Sequence, residues 1–293
     1  MLSRLLEVKF TMLHRSVQFR SLILISALTM HCSVFVGRAK AQLADDFNPP
    51  RANCCLATFA KGLADQLQDW NQLGRYHRAN EELKQQPADP KRVVFLGDSI
   101  TDFWKLAESF PGKPYVNRGI GGQTTPQMLV RMYPDVISLK PAAMVLLAGT
   151  NDIARNTGPA TAEMIEQDIM AIAELAQLHG MKVILCSILP VSDYPFLRQQ
   201  NEPPPVGPVP GPGALPRIKM TEGRPPADIL RLNAWIKDYA ARVNAIYVDY
   251  FTAMVDEKGW LKDAYSGDGL HPNVEGYKVM APIVASAIQK TLP

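Results

Sequence analysis

From Lys91 onward, five short apolar runs recur: Arg92–Leu96, Tyr115–Asn117, Ala143–Ala148, Lys182–Ile188 and Ala245–Val248. Several are rich in β-branched residues and show little polar alternation, the pattern of parallel strands buried on both faces. Between them lie longer amphipathic segments with readable helix signals. Thr125 is followed by Pro126 at a first helical position, and the segment from about Ala160 to His179 ends at Gly180. Repeated βα units of this kind predict an α/β fold, an open parallel sheet covered by helices on both sides. In such sheets the functional groups collect at the carboxyl ends of the strands. With 293 residues, 47% of them hydrophobic, the chain can bury one large core.

The flanks divide the chain into a leader at 1–41, a helical extension at 42–90 and the α/β domain at 91–293. The leader has a basic start (Arg4, Lys9, Arg15, Arg20), an apolar run from Leu22 to Val36, and Ala39-Lys40-Ala41 as a small-x-small cleavage pattern. It reads as a signal peptide for export, cut after Ala41, to the periplasm or beyond. A membrane anchor is the alternative, but Ser26, Thr29, His31 and Ser33 interrupt the run, which falls short of the roughly 20 residues a span needs. Translation could begin at Met1 or at Met12. The leader carries six of the 31 Lys and Arg and one of the 28 acids, so the remainder is near neutral, at −2. That balance gives no footprint for nucleic acid.

Three cysteines remain beyond the leader, an odd number that implies no disulfide framework. Cys186 sits in an apolar run and reads as a core residue. The neighbours Cys54 and Cys55 could pair only with strain or with another molecule, and no spacing suggests zinc. A helical pattern runs from about Leu56 to Lys84 and stops before Pro87 and Pro90. Residues 191–226 form an insertion, with nine prolines between Glu202 and Pro226. Because it follows the fourth strand, it leaves the sheet on the side expected to carry the site. It either lines the cleft there or is a solvated loop.

Four short motifs carry chemistry, and each taken alone has a bland reading. Gly97-Asp98-Ser99-Ile100 places a hydroxyl at the end of the first strand, although Gly-Asp-Ser is also a common turn. Asn117-Arg118-Gly119-Ile120-Gly121-Gly122 follows the second strand, with glycines whose backbone can approach a ligand. Gly149-Thr150-Asn151-Asp152 sets an amide after the third. Asp268-Gly269-Leu270-His271-Pro272 precedes the last helix, and there the carboxylate can accept the Nδ1 proton of the imidazole and leave Nε2 for a serine. Together they supply a nucleophile, oxyanion donors, a base and an orienting group, the parts needed for acyl transfer.

On these four blocks, and on phrases such as VVFLGDSITDFW and NRGIGGQTTPQML, the sequence resembles the SGNH or GDSL hydrolases over roughly Leu67 to Leu292. It looks most like the bacterial exported esterases similar to platelet-activating-factor acetylhydrolase-like proteins. The resemblance implies a flavodoxin-like three-layer α/β/α sandwich with a five-stranded parallel sheet in the order 2-1-3-4-5. It implies Ser99 as nucleophile, His271 as base and Asp268 as its partner. The oxyanion hole would consist of the Ser99 N–H, the Gly122 N–H and the Asn151 side-chain amide. It implies no metal and no organic cofactor, and a small-molecule or polysaccharide ester as substrate. A lysophospholipase or thioesterase of the same family, or a non-catalytic carbohydrate-binding module on the same sheet, stands as the alternative. Two features depart from the family: Ile100 replaces its usual leucine, and the Pro-rich insertion is long.

Two other chemistries fit less well. A metal-dependent phosphoesterase could recruit Asp98, Asp102, Asn151, Asp152, Asp268 and His271, but beyond His271 only His77 and His179 follow the leader, both on predicted helices. An α/β-hydrolase needs glycine where Thr101 stands. Phe103 and Trp104 read as core, Asp152 as a partner of its own loop, and Trp70, Trp235 and Trp260 as packing.

Overall fold

Alternate residues of a strand point to opposite faces, and in this sheet both faces are apolar. Val94, Leu96, Met144, Leu146, Val183 and Leu185 contribute to one buried cluster, while Val93, Phe95, Val145, Leu147, Ile184 and Cys186 contribute to another. The strands are β1 (Val93–Gly97), β2 (Tyr115–Gly119), β3 (Ala143–Leu147), β4 (Lys182–Cys186) and β5 (Ile246–Val248), all parallel in the order 2-1-3-4-5. The first cluster is closed by helices α2 (Thr125–Val130), α3 (Ala162–Leu178) and α5 (Pro226–Arg242). The second is closed by α6 (Val274–Thr291). This is the expected three-layer sandwich.

The structure, a computed structural model, describes residues 62, 64, 67–87, 89–201 and 219–292. The chain divides into two units, 1–59 and 60–293, and every described residue lies in the second. The leader, Cys54, Cys55 and residues 202–218 of the Pro-rich stretch lie outside the described residues. Among the described residues no helix is long and apolar enough to cross a membrane.

Register sets up the rim. Gly97 at the end of β1 pairs with Gly119 of β2 and with Leu147 of β3. The three strands therefore finish level, and the segments that follow them emerge side by side.

The structure corrects three local expectations. The single helix over Leu56–Lys84 is broken: turns occupy 69–75, Gln72 has φ +55°, and helix α1 starts only at His77 and ends at Lys84. The Asp69 carboxylate accepts the N–H groups of Leu73 (2.7 Å) and Gly74 (2.8 Å), which gives the backbone an alternative to helical bonds. Helix α2 is capped one residue earlier than expected, at Thr124, whose N–H donates to Gln127 Oε1 at 3.2 Å. The insertion at 191–226 is helical at its described flanks, α4 (Tyr194–Asn201) and the turn Met220–Gly223. The Asp193 carboxylate joins those flanks by accepting the N–H (3.1 Å) and hydroxyl (2.5 Å) of Thr221.

Candidate active site

Ser99 begins a one-turn helix, Ser99–Asp102, directly after β1. The Asp98 side chain caps that turn by accepting the Ile100 N–H at 2.9 Å. The turn packs so closely on β2 that a Cβ at Gly119 would lie 2.1 Å from the Asp102 backbone nitrogen, which explains a glycine there. From the far end of the chain, Tyr277 of α6 donates its hydroxyl to the Ile100 carbonyl at 2.7 Å and stacks on Trp104 at 5.2 Å between centroids. These contacts hold the start of α6, and the loop before it, over the serine.

In that loop Asp268 Oδ1 accepts the N–H groups of Leu270 (2.9 Å) and His271 (2.8 Å) and the Ser266 hydroxyl (3.1 Å). Gly269 has φ +84°, and a Cβ there would meet the Ser192 carbonyl oxygen at 2.2 Å, so the loop is seated against the segment after β4. His271 Nδ1 lies 2.6 Å from Asp268 Oδ2, and His271 Nε2 lies 2.9 Å from Ser99 Oγ. An ionised carboxylate only accepts, so Nδ1 carries the proton, and in the neutral ring Nε2 then accepts from the serine hydroxyl. Burial by itself would raise the Asp268 pKa. The hydrogen bonds from the His271 ring and from the His271 and Leu270 N–H groups outweigh it and hold the carboxyl well below the usual range.

Among the described residues neither the Ser99 N–H nor the Gly122 N–H meets a protein acceptor. Gly122 has φ +80°, and its carbonyl is turned away to accept Asn156 Nδ2 at 3.1 Å. The preceding glycine is anchored, with Gly121 N–H donating to Asp102 Oδ2 at 3.1 Å while Arg75 holds Asp102 Oδ1 at 3.3 Å. Asn151 Nδ2 donates to the Gln123 carbonyl at 3.0 Å, and Asn151 Oδ1 accepts from Arg224 Nη2 at 3.3 Å. Arg224 Nε also donates to Thr150 Oγ1 at 3.1 Å. The amide is thereby fixed in one orientation, with oxygen toward the guanidinium and one N–H left over.

These contacts join Ser99, His271 and Asp268 directly, while Asn151 bonds Gln123, the neighbour of Gly122 in the glycine loop. Other expectations need correction. Asp152 does not serve its own loop alone: it accepts the N–H (2.9 Å) and hydroxyl (2.6 Å) of Thr125, at the start of α2. Trp104 is core, but Phe103 is 56% exposed, with its ring 5.1 Å from that of His271. Trp70 is not packing either, being 59% exposed. Arg224 and Arg75 escaped sequence reasoning because nothing in their local sequence marks a contact reaching 73 or 27 positions along the chain. Among the described residues no three His, Cys, Asp or Glu side chains cluster to hold a metal ion.

Asp98 also has a consequence for stability. Its side chain is fully buried, and Oδ2 finds no donor among the described residues, so burial pushes the carboxyl up to about 6. A folded pKa above the ordinary value means that stability is full below about pH 4 and declines as pH rises through about 6. Asp98→Asn, neutral throughout, is expected to gain on the parent by up to about 3 kcal/mol between pH 4 and pH 7.5. Thermal denaturation of both proteins at the two pH values measures this, and a constant difference would refute it.

A family model described as the GDSL-like lipase/acylhydrolase family matches residues 95–279. Among solved structures, a Bacteroides fragilis protein provisionally called an acylhydrolase is 40% identical, with a TM-score of 0.65, covering 77% of this chain and 99% of that one. A GDSL-like lipase from Bacteroides thetaiotaomicron is 36% identical, with a TM-score of 0.64, covering 76% and 99%. An uncharacterised lipoprotein from Bacillus subtilis strain 168 is 33% identical over 79 residues, 26% of this chain, so the match spans about a third of that curated relative's length (32%).

Proposed function

This chain belongs to the GDSL-like lipase/acylhydrolase family, and from that premise we propose that it hydrolyses carboxylic esters through an acyl-enzyme on Ser99. The observation that carries the reading is the continuous line of two short contacts from Asp268 Oδ2 through the His271 ring to Ser99 Oγ. His271 Nε2 takes the hydroxyl proton as Ser99 Oγ attacks the ester carbonyl. The oxyanion that forms is held by the free N–H groups of Ser99 and Gly122 and by the remaining N–H of Asn151. His271 then returns the proton to the leaving alcohol, and water repeats the cycle to free the acid. Arg224 keeps the Asn151 amide from flipping its oxygen toward the developing negative charge.

The acyl group in this reading is short. Gln72, Asn156 and Thr157 stand around the glycine loop, a polar surround that suits neither a long acyl chain nor a long alkyl alcohol. The leader pattern supports export, and the Bacillus relative, itself a lipoprotein, is consistent with it. The test is to treat the protein with a fluorophosphonate and map the adduct, then measure 4-nitrophenyl esters from acetate to decanoate. Labelling at Ser99 and a decline beyond butyrate are expected. An unlabelled serine would overturn the esterase reading, and a preference for decanoate would favour the lysophospholipase alternative.

A further inference from the structure

Against Gly121 and Gly122 lies a cavity of about 820 Å³, within the usual size range of ligand pockets. Trp70, Asp69, Gln72, Asn156 and Thr157 are among its walls, and among the described residues no Lys, Arg or His lines it. Trp70 is the one aromatic residue lining it among the described residues. The residue is 59% exposed although its backbone is firmly braced. Gln127 Nε2 donates to the Trp70 carbonyl at 3.1 Å, Gln123 Nε2 donates to the Asn71 carbonyl at 2.9 Å, and Asn71 Nδ2 donates to the Gln127 carbonyl at 3.1 Å. A braced turn that leaves its indole open beside the oxyanion donors is a ready platform.

The chemistry of the walls selects the ligand. An acyl chain needs apolar walls, and a phosphate needs cationic side chains or a helix N-terminus. The cavity offers a flat indole face with polar groups around it. Asp69 keeps lone pairs beyond its two backbone bonds, Asn156 Oδ1 remains open once Nδ2 has bonded Gly122, and the Gln72 amide has no protein partner among the described residues. A neutral sugar ring matches both parts, with C–H groups for the indole and hydroxyls for the amides and carboxylate. We infer that Trp70 is the stacking platform of a subsite for a neutral sugar unit in the alcohol part of the ester. The inference rests on the esterase reading of Ser99, and it makes the substrate an acylated carbohydrate.

The experiment compares acetylated xylotriose with 4-nitrophenyl acetate. In Trp70→Ala the ratio of their kcat/KM values should fall about tenfold, the scale of one lost aromatic contact, with the loss in KM for the sugar ester. Trp70→Phe should restore most of the ratio, which a folding defect would not allow. In parallel, xylotriose is titrated into Ser99→Ala protein with tryptophan fluorescence as readout, and the response should vanish in Ser99→Ala/Trp70→Ala. An unchanged ratio, or a fluorescence response that survives loss of Trp70, would overturn the subsite. Hydrolysis of 4-nitrophenyl acetate that persists in Ser99→Ala would instead remove the esterase reading of Ser99, while the xylotriose titration would still decide the subsite.

Discussion

Replacing Ser99 with alanine is expected to lower kcat for 4-nitrophenyl acetate by roughly 10⁴- to 10⁶-fold, with little change in substrate binding. The reasoning is positional. Ser99 Oγ is the hydroxyl that His271 Nε2 reaches, at 2.9 Å, and it stands beside backbone donors that meet no protein acceptor among the described residues. A substitute nucleophile would need both features. The described cysteine, Cys186, has neither: it is buried in the sheet, and desolvation pushes its thiol up to about 12. Some acceleration should survive the substitution, because the oxyanion donors and the bound geometry remain. Removing the hydroxyl leaves only His271 Nε2, on a partly exposed ring, without its partner, so the variant should fold as the parent does. Activity above about one hundredth of the parent's would place the nucleophile elsewhere.

Asp268→Asn should cost about 10⁴-fold in kcat while leaving the loop folded. The two carboxylate oxygens have separate duties. Oδ1 accepts Ser266, Leu270 and His271 donors and shapes the loop, and Oδ2 faces His271 Nδ1. An asparagine that keeps its oxygen in the first position turns its NH₂ toward Nδ1. The ring must then accept at Nδ1 and carry its proton on Nε2, the wrong tautomer for taking a proton from Ser99. Because the native carboxyl is held well below the usual range, it stays ionised through the mildly acidic range. Its contribution to stability is present above the ordinary carboxylate pKa and is lost only as pH falls through the lowered value. A modest fall in thermal stability, from loss of that charge contribution, beside a collapsed kcat in a protein that still folds separates this role from a purely structural one. A variant within tenfold of the parent would show that the imidazole is oriented by something else.

Much of the fold was legible because it is written in short-range patterns. Apolar runs of five or so residues with helical segments between them imply parallel strands, and the strand boundaries differ from the apolar runs by one or two residues. The broken helix before α1 was not legible. Its apolar spacing is helical, and the break is made by the Asp69 side chain claiming two N–H groups and by Gln123 and Gln127 holding the Trp70 and Asn71 backbone from 52 to 57 positions away. Trp70 was misread for the same reason. Whether a tryptophan is buried depends on what the rest of the chain brings to it, and here the neighbouring loops leave it facing a cavity.

The sequence by itself determined the parts: four motifs, each at the end of a strand or before the last helix, with side chains suited to nucleophilic attack, proton transfer and oxyanion binding. These are local properties, set by residue type and by the turn that follows each strand. Only the tertiary structure decided that positions 99 and 271 come within 2.9 Å, that the Asn151 amide is locked by Arg224, and that an open indole stands next to the glycine loop. Those outcomes depend on the level ends of β1, β2 and β3 and on the Tyr277 bond that draws α6 over the serine. Contacts so distant along the chain are fixed by packing of the whole core, which no local pattern encodes.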